Sequence, residues 1–374
     1  MIYADFAAAT PTDPKVWETM SQTASLAYAN PSSRHQLGQA AHRLLQAARQ
    51  TTADFLAASN SEIYFTASGT EANNLAILGV AKAAIKSGNH IITSNVEHPS
   101  ISHALLALKK IGYEVTYLPV DQQGLVSPRQ LAESLTDKTI FITIHLANSV
   151  TGVIQPIKDL TAVVANHQAL FHTDACSGGS FLDLSIKKLG VDLLSFNGSK
   201  MYGPKGTAVL YVKDGTPIFP LVYGGGQEGS LRSGTENLPA IVGLAKAIEI
   251  VGQSRSSDYL KIGRLRDRLE LELGMLAGVS VGLADSPRLP NHLLITLDGY
   301  TGTNIVEAFD RLGVAVSAGS ACSSYLPDSG GIFAALGFSS EQANATVRIS
   351  LGRSSTLQEL DKIVAAVKKL SRPV

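Results

Sequence analysis

Short apolar segments alternate with helical segments between about residues 60 and 212, and this alternation restricts the fold more than any other feature of the chain. The apolar segments are rich in Ile, Val and Phe and have the length of buried strands. They are Glu62–Thr66, His90–Thr93, Glu114–Leu118, Ile140–Leu146, Leu170–Thr173, Asp192–Phe196 and Thr207–Val212. Between them, Glu71–Lys86, Ile101–Lys110 and Leu160–Asn166 carry apolar residues at helical spacing. The pattern predicts an α/β domain with a mostly parallel, seven-stranded sheet and helices on both faces.

The pattern changes after Tyr223. A glycine-rich segment, GGGQEGSLRSGTEN, predicts a surface loop, and Leu238–Val251 and the residues after it predict one or two long helices. Short strands at Leu293–Leu297, Val314–Ser317 and Thr346–Ser350 then alternate with helices, as in an α+β module. We therefore expect a large domain over residues 13–250 and a smaller α+β domain formed by residues 1–12 and 251–374.

The composition sets limits on partners and location. Lys plus Arg and Asp plus Glu both number 31 in 374 residues, so no overall charge attracts nucleic acid or an anionic membrane. The first residues lack the basic region and apolar run of a secretory signal, and no segment reaches the ~20 apolar residues of a membrane span. Cys176 and Cys322 are too few for a disulfide framework. We expect a cytoplasmic protein without nucleic-acid or membrane partners.

A lysine directly follows one predicted strand. In Ser195–Gly206 an apolar strand leads into a polar turn that contains Lys200 and continues as Gly-Pro-Lys-Gly. Ligands of open α/β sheets bind beyond the carboxyl ends of the strands, where a partly desolvated lysine can form a Schiff base with an aldehyde. A solvated lysine in a turn is the alternative interpretation.

Two other strand ends carry groups suited to a flat, phosphorylated ligand. Asp174 ends a buried strand, where a carboxylate can pair with a protonated pyridine nitrogen. Ser68, Gly69 and Thr70 open a helix, where free N–H groups and hydroxyls can bind phosphate. Ordinary helix capping explains either segment equally well.

A histidine and a cysteine complete the set. His98 lies between a strand and a helix that starts with proline, a position from which its ring can stack on a cofactor and move protons; a surface histidine is the alternative. Cys322 lies in a run of small and hydroxylic residues with nothing large enough to bury its sulfur. Such a thiol is suited to nucleophilic attack, whereas Cys176 is interpreted as a small core residue.

In this order and at these separations, the segments resemble those of the cysteine desulfurases. These enzymes belong to the class V aminotransferase group, whose fold is that of the type I pyridoxal-phosphate enzymes. The resemblance runs nearly end to end. Its motifs are Ala8–Pro11, Asn30–His35, Ser68–Asn73, Glu97–His98, His172–Asp174, Lys200–Gly206, Arg232–Thr235, Ser317–Cys322 and Arg348–Arg353.

The resemblance implies a role for each matching residue. Lys200 would carry pyridoxal 5'-phosphate as a Schiff base, Asp174 would hold its pyridine nitrogen and His98 would stack on its ring; Lys200, His98 and Cys322 would be catalytic. Other residues would bind the cofactor or the substrate. The residues that would bind the cofactor also include Gly69, Thr70, Ser177, Asn197, Ser199 and Thr235, of which Thr235 would reach the neighbouring subunit of a homodimer. The residues that would bind the substrate are Asn148, Ser149 and Arg353. Of these, Arg353 would clamp the substrate carboxylate.

The implied reaction converts L-cysteine to L-alanine. The substrate displaces Lys200, a proton leaves the α-carbon, and the thiolate of Cys322 attacks the substrate sulfur and keeps it as a persulfide. An acceptor or scaffold protein then takes the sulfur for iron–sulfur cluster assembly or thiolation. No resident metal is expected, although Cys322 stays a candidate for a transient iron–sulfur ligand.

Three departures from the family pattern fall beside the expected cofactor. Ser149 and Ser177 stand where the family usually has an asparagine and a glutamine near the ring hydroxyl, and Ser199 stands where it has a phosphate-side histidine. Two alternatives therefore stay open. One is another reaction of the same fold, such as a selenocysteine lyase, a cysteine C–S lyase or an amine transferase; the other is a non-catalytic binding partner. A nucleotide enzyme without pyridoxal lacks support, because the chain has no Walker-type loop or dinucleotide fingerprint.

Overall fold

A computed structural model describes residues 1–300, 303–319 and 331–371 of the chain. The strands are β1 (Ile2–Tyr3), β2 (Ile63–Thr66), β3 (His90–Ser94), β4 (Glu114–Leu118), β5 (Thr139–Thr143), β6 (Leu170–Asp174), β7 (Leu193–Asn197), β8 (Ala208–Val212), β9 (Val279–Gly282), β10 (His292–Leu297), β11 (Val314–Ala315), β12 (Ser317–Ala318) and β13 (Thr346–Ser350). The helices are α1 (Pro14–Leu26), α2 (Gln36–Leu56), α3 (Gly69–Ala84), α4 (Pro99–Lys110), α5 (Pro128–Ser134), α6 (Ile157–Val163), α7 (Ile186–Leu189), α8 (Leu238–Gly274), α9 (Thr303–Arg311), α10 (Gly331–Ala335), α11 (Ser340–Asn344) and α12 (Leu357–Leu370). None of the described helices is long and apolar enough to span a membrane.

The larger sheet has seven strands in the order β2, β8, β7, β6, β5, β3, β4. β8 runs antiparallel to both of its neighbours, and every other pair is parallel. The predicted α/β fold with a mostly parallel, seven-stranded sheet is thus confirmed. Because β3, β5, β6 and β7 are parallel, their carboxyl ends meet at one edge of the sheet.

Helices cover both faces of this sheet. Ile92 and Ile142 are buried with residues of α2 and of the first half of α8. Ile91 and Phe141, their neighbours in sequence, are buried on the other face with residues of α3 and α4. This alternation follows from the two-residue period of a strand and explains why the central strands are apolar throughout.

β5 ends at Thr143, three residues earlier than predicted. Beyond it, the N–H of Ile144 still bonds the carbonyl of His172 in β6 at 3.2 Å. The N–H of His145, in contrast, bonds the carboxylate of Glu97 at 3.1 and 3.2 Å instead of a strand backbone. A side chain therefore replaces the neighbouring strand at this point.

The second half of the chain builds a smaller antiparallel sheet in the order β12, β13, β10, β9. The helical segment predicted after Leu238 is one continuous helix, α8. Its buried residues belong to the core of the large sheet as far as Val251 and to the core of the small sheet from Ile262 onward. At the N-terminus, β1 pairs with β11. The domain boundary near residue 250 stays a prediction, which this change of core supports.

Candidate active site

A cleft of about 170 Å³ lies at the carboxyl edge of the large sheet. Segments that follow β2, β3, β5, β6 and β7 border it, as expected for a ligand site in an open α/β sheet. It is lined by Ser68, Gly69, Thr70, Asn73, His98, Ser100, His145, Ala147, Asn148, Ser149, Asp174, Cys176, Ser177, Asn197 and Lys200. Most residues that the sequence assigned to a cofactor site are thus brought together.

Asp174 ends β6 and is buried where it lines the cleft. Its Oδ1 accepts the backbone N–H of Cys176 at 2.9 Å, and its Oδ2 accepts the side-chain amide of Asn73 at 2.8 Å. Burial opposes ionisation, but the nearby His98 and these hydrogen bonds outweigh it and lower the pKa of the carboxyl. Among the described residues no Lys or Arg forms an ion pair with it. A buried carboxylate without a basic partner favours a positively charged ligand.

His98 caps the N-terminus of α4 with its ring. Nδ1 accepts the backbone N–H of Ser100 at 3.1 Å and lies 2.8 Å from the Oγ of the same residue. Since Nδ1 accepts a backbone N–H, we assign the ring proton to Nε2. Burial lowers the pKa of His98, opposed by Asp174 and helped by Lys200, so the ring is neutral at pH 7. A fixed, neutral imidazole therefore borders the cleft.

Lys200 closes a single 3₁₀ turn, Gly198–Lys200, directly after β7. The Oδ1 of Asn197 fixes this turn by accepting the backbone N–H of Lys200 and the hydroxyl of Ser199, both at 3.2 Å. The Nζ of Lys200 donates to the Oγ of Ser177 at 3.4 Å and has no carboxylate partner within the described ranges. The amine is therefore open to covalent chemistry with a ligand in the cleft.

The N-terminus of α3 supplies a site for an anion. Ser68 caps the helix by accepting the N–H of Glu71 at 3.1 Å, and Gly69 and Thr70 line the cleft. N–H groups in the first turn have no acceptor within the helix, and the helix dipole favours negative charge there. A Cβ on Gly69 would lie 2.5 Å from the Sγ of Cys176, so glycine permits this close approach.

Asn148 and Ser149 line the cleft on the side of β5. The amide of Asn148 donates to the carbonyl of Val96 at 2.9 Å, and its Oδ1 accepts the N–H groups two and three residues later at 2.8 and 3.0 Å. The carbonyl of Ser149 accepts from Arg348 at 2.7 Å and lies 3.3 Å from Nε2 of His292. The turn is thus held by its own side chain and by two residues of the smaller sheet.

Arg348, in β13, contacts the cleft wall through the carbonyl of Ser149. It also donates to Oδ1 of Asp5 at 2.5 Å and to Oγ of Ser317 at 3.0 Å. Its side chain is 7 % exposed, and its buried Nε has no partner among the described residues. The resemblance to the family included this arginine as the first residue of a motif but implied no role for it.

Three assigned residues do not line the cleft, and a fourth lies outside the described residues. The hydroxyl of Ser199 bonds Asn197, and Thr235 is exposed in a separate cleft beside Arg232. Arg353 bonds Asp258 at 2.6 Å and Ser254 at 2.8 Å, and its guanidinium lies 4.2 Å from the centre of the Tyr202 ring. Cys322 lies outside the described residues. These four assignments stay predictions.

Comparison with known proteins identifies the family. The family model of class V aminotransferases matches residues 2–363. A cysteine desulfurase IscS of Methanosarcina thermophila is 38% identical over 369 residues, covering 99% of this chain and 91% of the relative. This chain belongs to the cysteine desulfurases. Among solved structures, a NifS-like protein has 34% identity and a TM-score of 0.93, covering 98% of both chains. A structure titled "SspA in complex with cysteine" has 35% identity and a TM-score of 0.83, covering 95% of this chain and all of that one.

The cofactor of this desulfurase is pyridoxal 5'-phosphate, and the residues of the cleft fit it. The ionised Asp174 offers a partner for a pyridine nitrogen that carries a proton, and the start of α3 offers one for a phosphate. The amine of Lys200 can form a Schiff base with the aldehyde of the cofactor. Two buried polar atoms that line the cleft, Oδ1 of Asn73 and Nε2 of His145, have no partner within the described residues, as expected where a ligand supplies it.

Sequence reasoning had missed several residues of the desulfurase site. Asn73 lies one helical turn after Gly69, a spacing from which its position could have been inferred. His145 lies two residues beyond β5, but it was included in the predicted strand. Cys176 was interpreted as a core residue; it is buried, and it also lines the cleft. Burial raises the pKa of this thiol far above its usual value, so it remains protonated.

Proposed function

We propose that this desulfurase transfers the sulfur of L-cysteine to Cys322, releasing L-alanine. One observation supports the proposal above the others. At a single sheet edge lie an ionised, buried carboxylate, Asp174, and the amine of Lys200, and neither forms an ion pair within the part of the chain that the structure describes. Bound pyridoxal phosphate supplies an electron sink for the bonds at the substrate α-carbon. The protein residues bind and orient the cofactor and the substrate, and they exchange protons with the substrate.

Proton transfer and hydrogen bonding are assigned to two side chains. Once the substrate has replaced it, the Nζ of Lys200 is a free amine that can take the α-proton and return a proton to the β-carbon. The Nε2 of His98 carries the proton of a neutral ring fixed by Ser100, so it can donate a hydrogen bond to the substrate sulfur. Both groups border the same cleft.

The sulfur transfer balances without an external oxidant. The thiolate of Cys322 forms an S–S bond with the substrate sulfur while the C–S bond breaks, and its electron pair stays with the carbon fragment. That carbon gains a proton and becomes the methyl group of alanine. L-cysteine and an enzyme thiol thus give L-alanine and an enzyme persulfide.

The substrate carboxylate requires a cationic partner. The sequence assigned this role to Arg353, whose guanidinium bonds Asp258 and Ser254 away from the cleft. Neither arginine lines the cleft itself, but Arg348 bonds the carbonyl of Ser149 on the cleft wall, and its buried Nε has no partner among the described residues. We therefore extend the proposal to Arg348 as the carboxylate-binding residue, with Arg353 as the alternative to be tested against it.

The proposal includes partners and location. Large apolar side chains are exposed on α1, on α2 and near the glycine-rich loop, among them Trp17 (60% exposed), Leu37 (52%) and Tyr223 (68%). Exposed apolar residues of this size favour a protein interface, and we propose a homodimer in which Thr235 reaches the neighbouring cleft. An acceptor or scaffold protein would take the sulfur, and the location would be the cytoplasm.

The test is intact-mass analysis after incubation with L-cysteine. The wild type should gain the mass of sulfur and release alanine, whereas Cys322→Ser should gain none. Digestion should locate the sulfur on the Cys322 peptide and not on the Cys176 peptide. Undiminished alanine release by Cys322→Ser in reducing buffer would reject the persulfide step and favour a lyase. A colourless protein that stays colourless with added pyridoxal phosphate would favour a binding partner.

A further inference from the structure

A buried pair formed by Glu97 and His145 lies beside the groups already assigned to the cofactor. The Nδ1 of His145 lies 2.9 Å from the carboxylate of Glu97, and the two side chains are 4% and 1% exposed. The same carboxylate accepts the backbone N–H of His145 and, at 2.5 Å, the hydroxyl of Ser94. The pair is therefore held by three hydrogen bonds as well as by charge.

The charge state of the pair follows from its surroundings. Among the described residues, His145 is the only basic side chain that pairs with Glu97. Burial disfavours a charged imidazole, but the charge and hydrogen bond of Glu97, together with Asp174, outweigh it and raise the pKa of His145. Of the other nearby ionisable groups, His98 is neutral and the amine of Lys200 borders the same cleft. The contact with Glu97 and the raised pKa favour the charged form of His145, in which both ring nitrogens are donors.

Only one of these donors is used by the protein. Nδ1 points to Glu97, whereas Nε2 is buried and has no partner within the described ranges. Its ring lines the cleft with Asp174, His98 and Asn148. Buried N–H groups almost always have an acceptor, and a ligand in the cleft can supply the one that the described residues do not.

We propose that His145, oriented by Glu97, is a cofactor-binding residue whose Nε2–H donates to the ring oxygen of pyridoxal phosphate. The ring oxygen is the acceptor that remains, since the phosphate is assigned to the start of α3 and the pyridine nitrogen to Asp174. Ser149 and Ser177 line the same cleft with short side chains. A cationic donor beside them strengthens binding of the anionic oxygen. The inference depends on the cofactor site of the proposed function.

The test compares His145→Leu, His145→Gln and Glu97→Gln with the wild type. Apoprotein is titrated with pyridoxal phosphate, and the visible absorption of the loaded protein is followed against pH. His145→Leu should weaken cofactor affinity roughly tenfold or more, as expected for loss of a charge-assisted hydrogen bond. It should also raise the midpoint of the absorption change, because a nearby cation disfavours protonation of the chromophore. His145→Gln keeps a neutral donor, so its cofactor affinity and its midpoint should lie between those of the wild type and of His145→Leu. Glu97→Gln should also raise the midpoint.

His90→Leu is the matched control, because His90 is a buried histidine at the opposite end of β3. Its two ring nitrogens lie 2.8 Å from the hydroxyls of Thr139 and Thr116. The control should lower stability without moving cofactor affinity or the midpoint. The inference is overturned if His145→Leu behaves like the control; should that variant not fold, an unchanged midpoint in Glu97→Gln overturns it. A wild type that binds no pyridoxal phosphate would instead reject the proposed function.

Discussion

Replacing Gly69 by alanine should destabilise the protein through one identifiable contact. The added Cβ would lie 2.5 Å from the Sγ of Cys176 and 3.3 Å from the Nδ2 of Asn197. The sulfur has little room to retreat, because it is buried and lies 4.0 Å from the carbonyl oxygen of Ser195. Overpacking of this kind typically costs about 1–3 kcal/mol. Because Gly69 starts the helix assigned to the phosphate, the same change should weaken binding of pyridoxal phosphate.

The contact can be tested by a double-mutant cycle. Cys176→Ala should cost about 1 kcal/mol, the scale for removal of one small buried group. In Gly69→Ala/Cys176→Ala the clash is absent, so the double variant should be more stable than Gly69→Ala, with a coupling energy of about 1–2 kcal/mol. Urea unfolding of the apoprotein, followed by circular dichroism, measures each free energy of unfolding.

The control is Gly252→Ala, because a Cβ at that position in α8 meets nothing within 4 Å. It should be neutral or should stabilise the helix by about 0.5–1 kcal/mol. A double variant no more stable than Gly69→Ala would refute the reasoning, since it would mean that the sulfur of Cys176 is not what limits the space at Gly69.

Three other predictions follow from the site and its supports. Burial lowers the pKa of His172 from 6.5 to about 4, so the unfolded chain binds a proton more readily than the folded one, and the free energy of unfolding should fall as pH decreases from 6.5 to 4; His172→Gln should flatten this slope in urea unfolding. Arg348→Lys should raise the KM for L-cysteine roughly tenfold or more, whereas Arg353→Lys should mainly lower stability; the reverse result in steady-state assays of alanine would restore Arg353 as the carboxylate partner. Mixing Lys200→Ala subunits with Thr235→Ala subunits should restore sites with wild-type affinity for pyridoxal phosphate, and no restoration would place Thr235 in its own subunit's site.

The residues that the sequence located best are those at strand ends. Asp174, His98 and Lys200 follow three different strands, and the sequence could not show any contact between them. The parallel order of β3, β6 and β7 nevertheless brings their carboxyl ends to one edge, so position relative to a strand was sufficient. The helix caps at Ser68 and His98 were predictable for the same reason, because both capping and ligand binding use the free groups at a helix start.

The two arginines of one motif show where sequence reasoning stops. Arg348 and Arg353 are five residues apart, and either could have faced the substrate. Arg348 lies within β13, where pairing with Leu294 of β10 and Ser317 of β12 fixes its position in the sheet. Arg353 follows the strand and bonds Asp258 of α8. The choice depends on strand register and on a helix about 95 residues earlier in the chain, neither of which the motif contains.

The end of β5 and the position of His145 at the cleft were missed for a single physical reason. A strand usually continues while a neighbouring backbone accepts its N–H groups, and the apolar sequence up to Leu146 gave no sign that this would stop. At His145 the acceptor is instead the carboxylate of Glu97, 48 residues away, which takes both the backbone N–H and the ring. The carboxylate thus takes the place of a strand on the side facing β3, while the N–H of Leu146 still bonds the carbonyl of Asp174 in β6 at 2.9 Å. The same contact fixes the imidazole of His145, which lines the cleft. If this coupling holds, Glu97→Ala should loosen the segment after Thr143, seen as faster amide exchange at His145, and should weaken cofactor binding together with it.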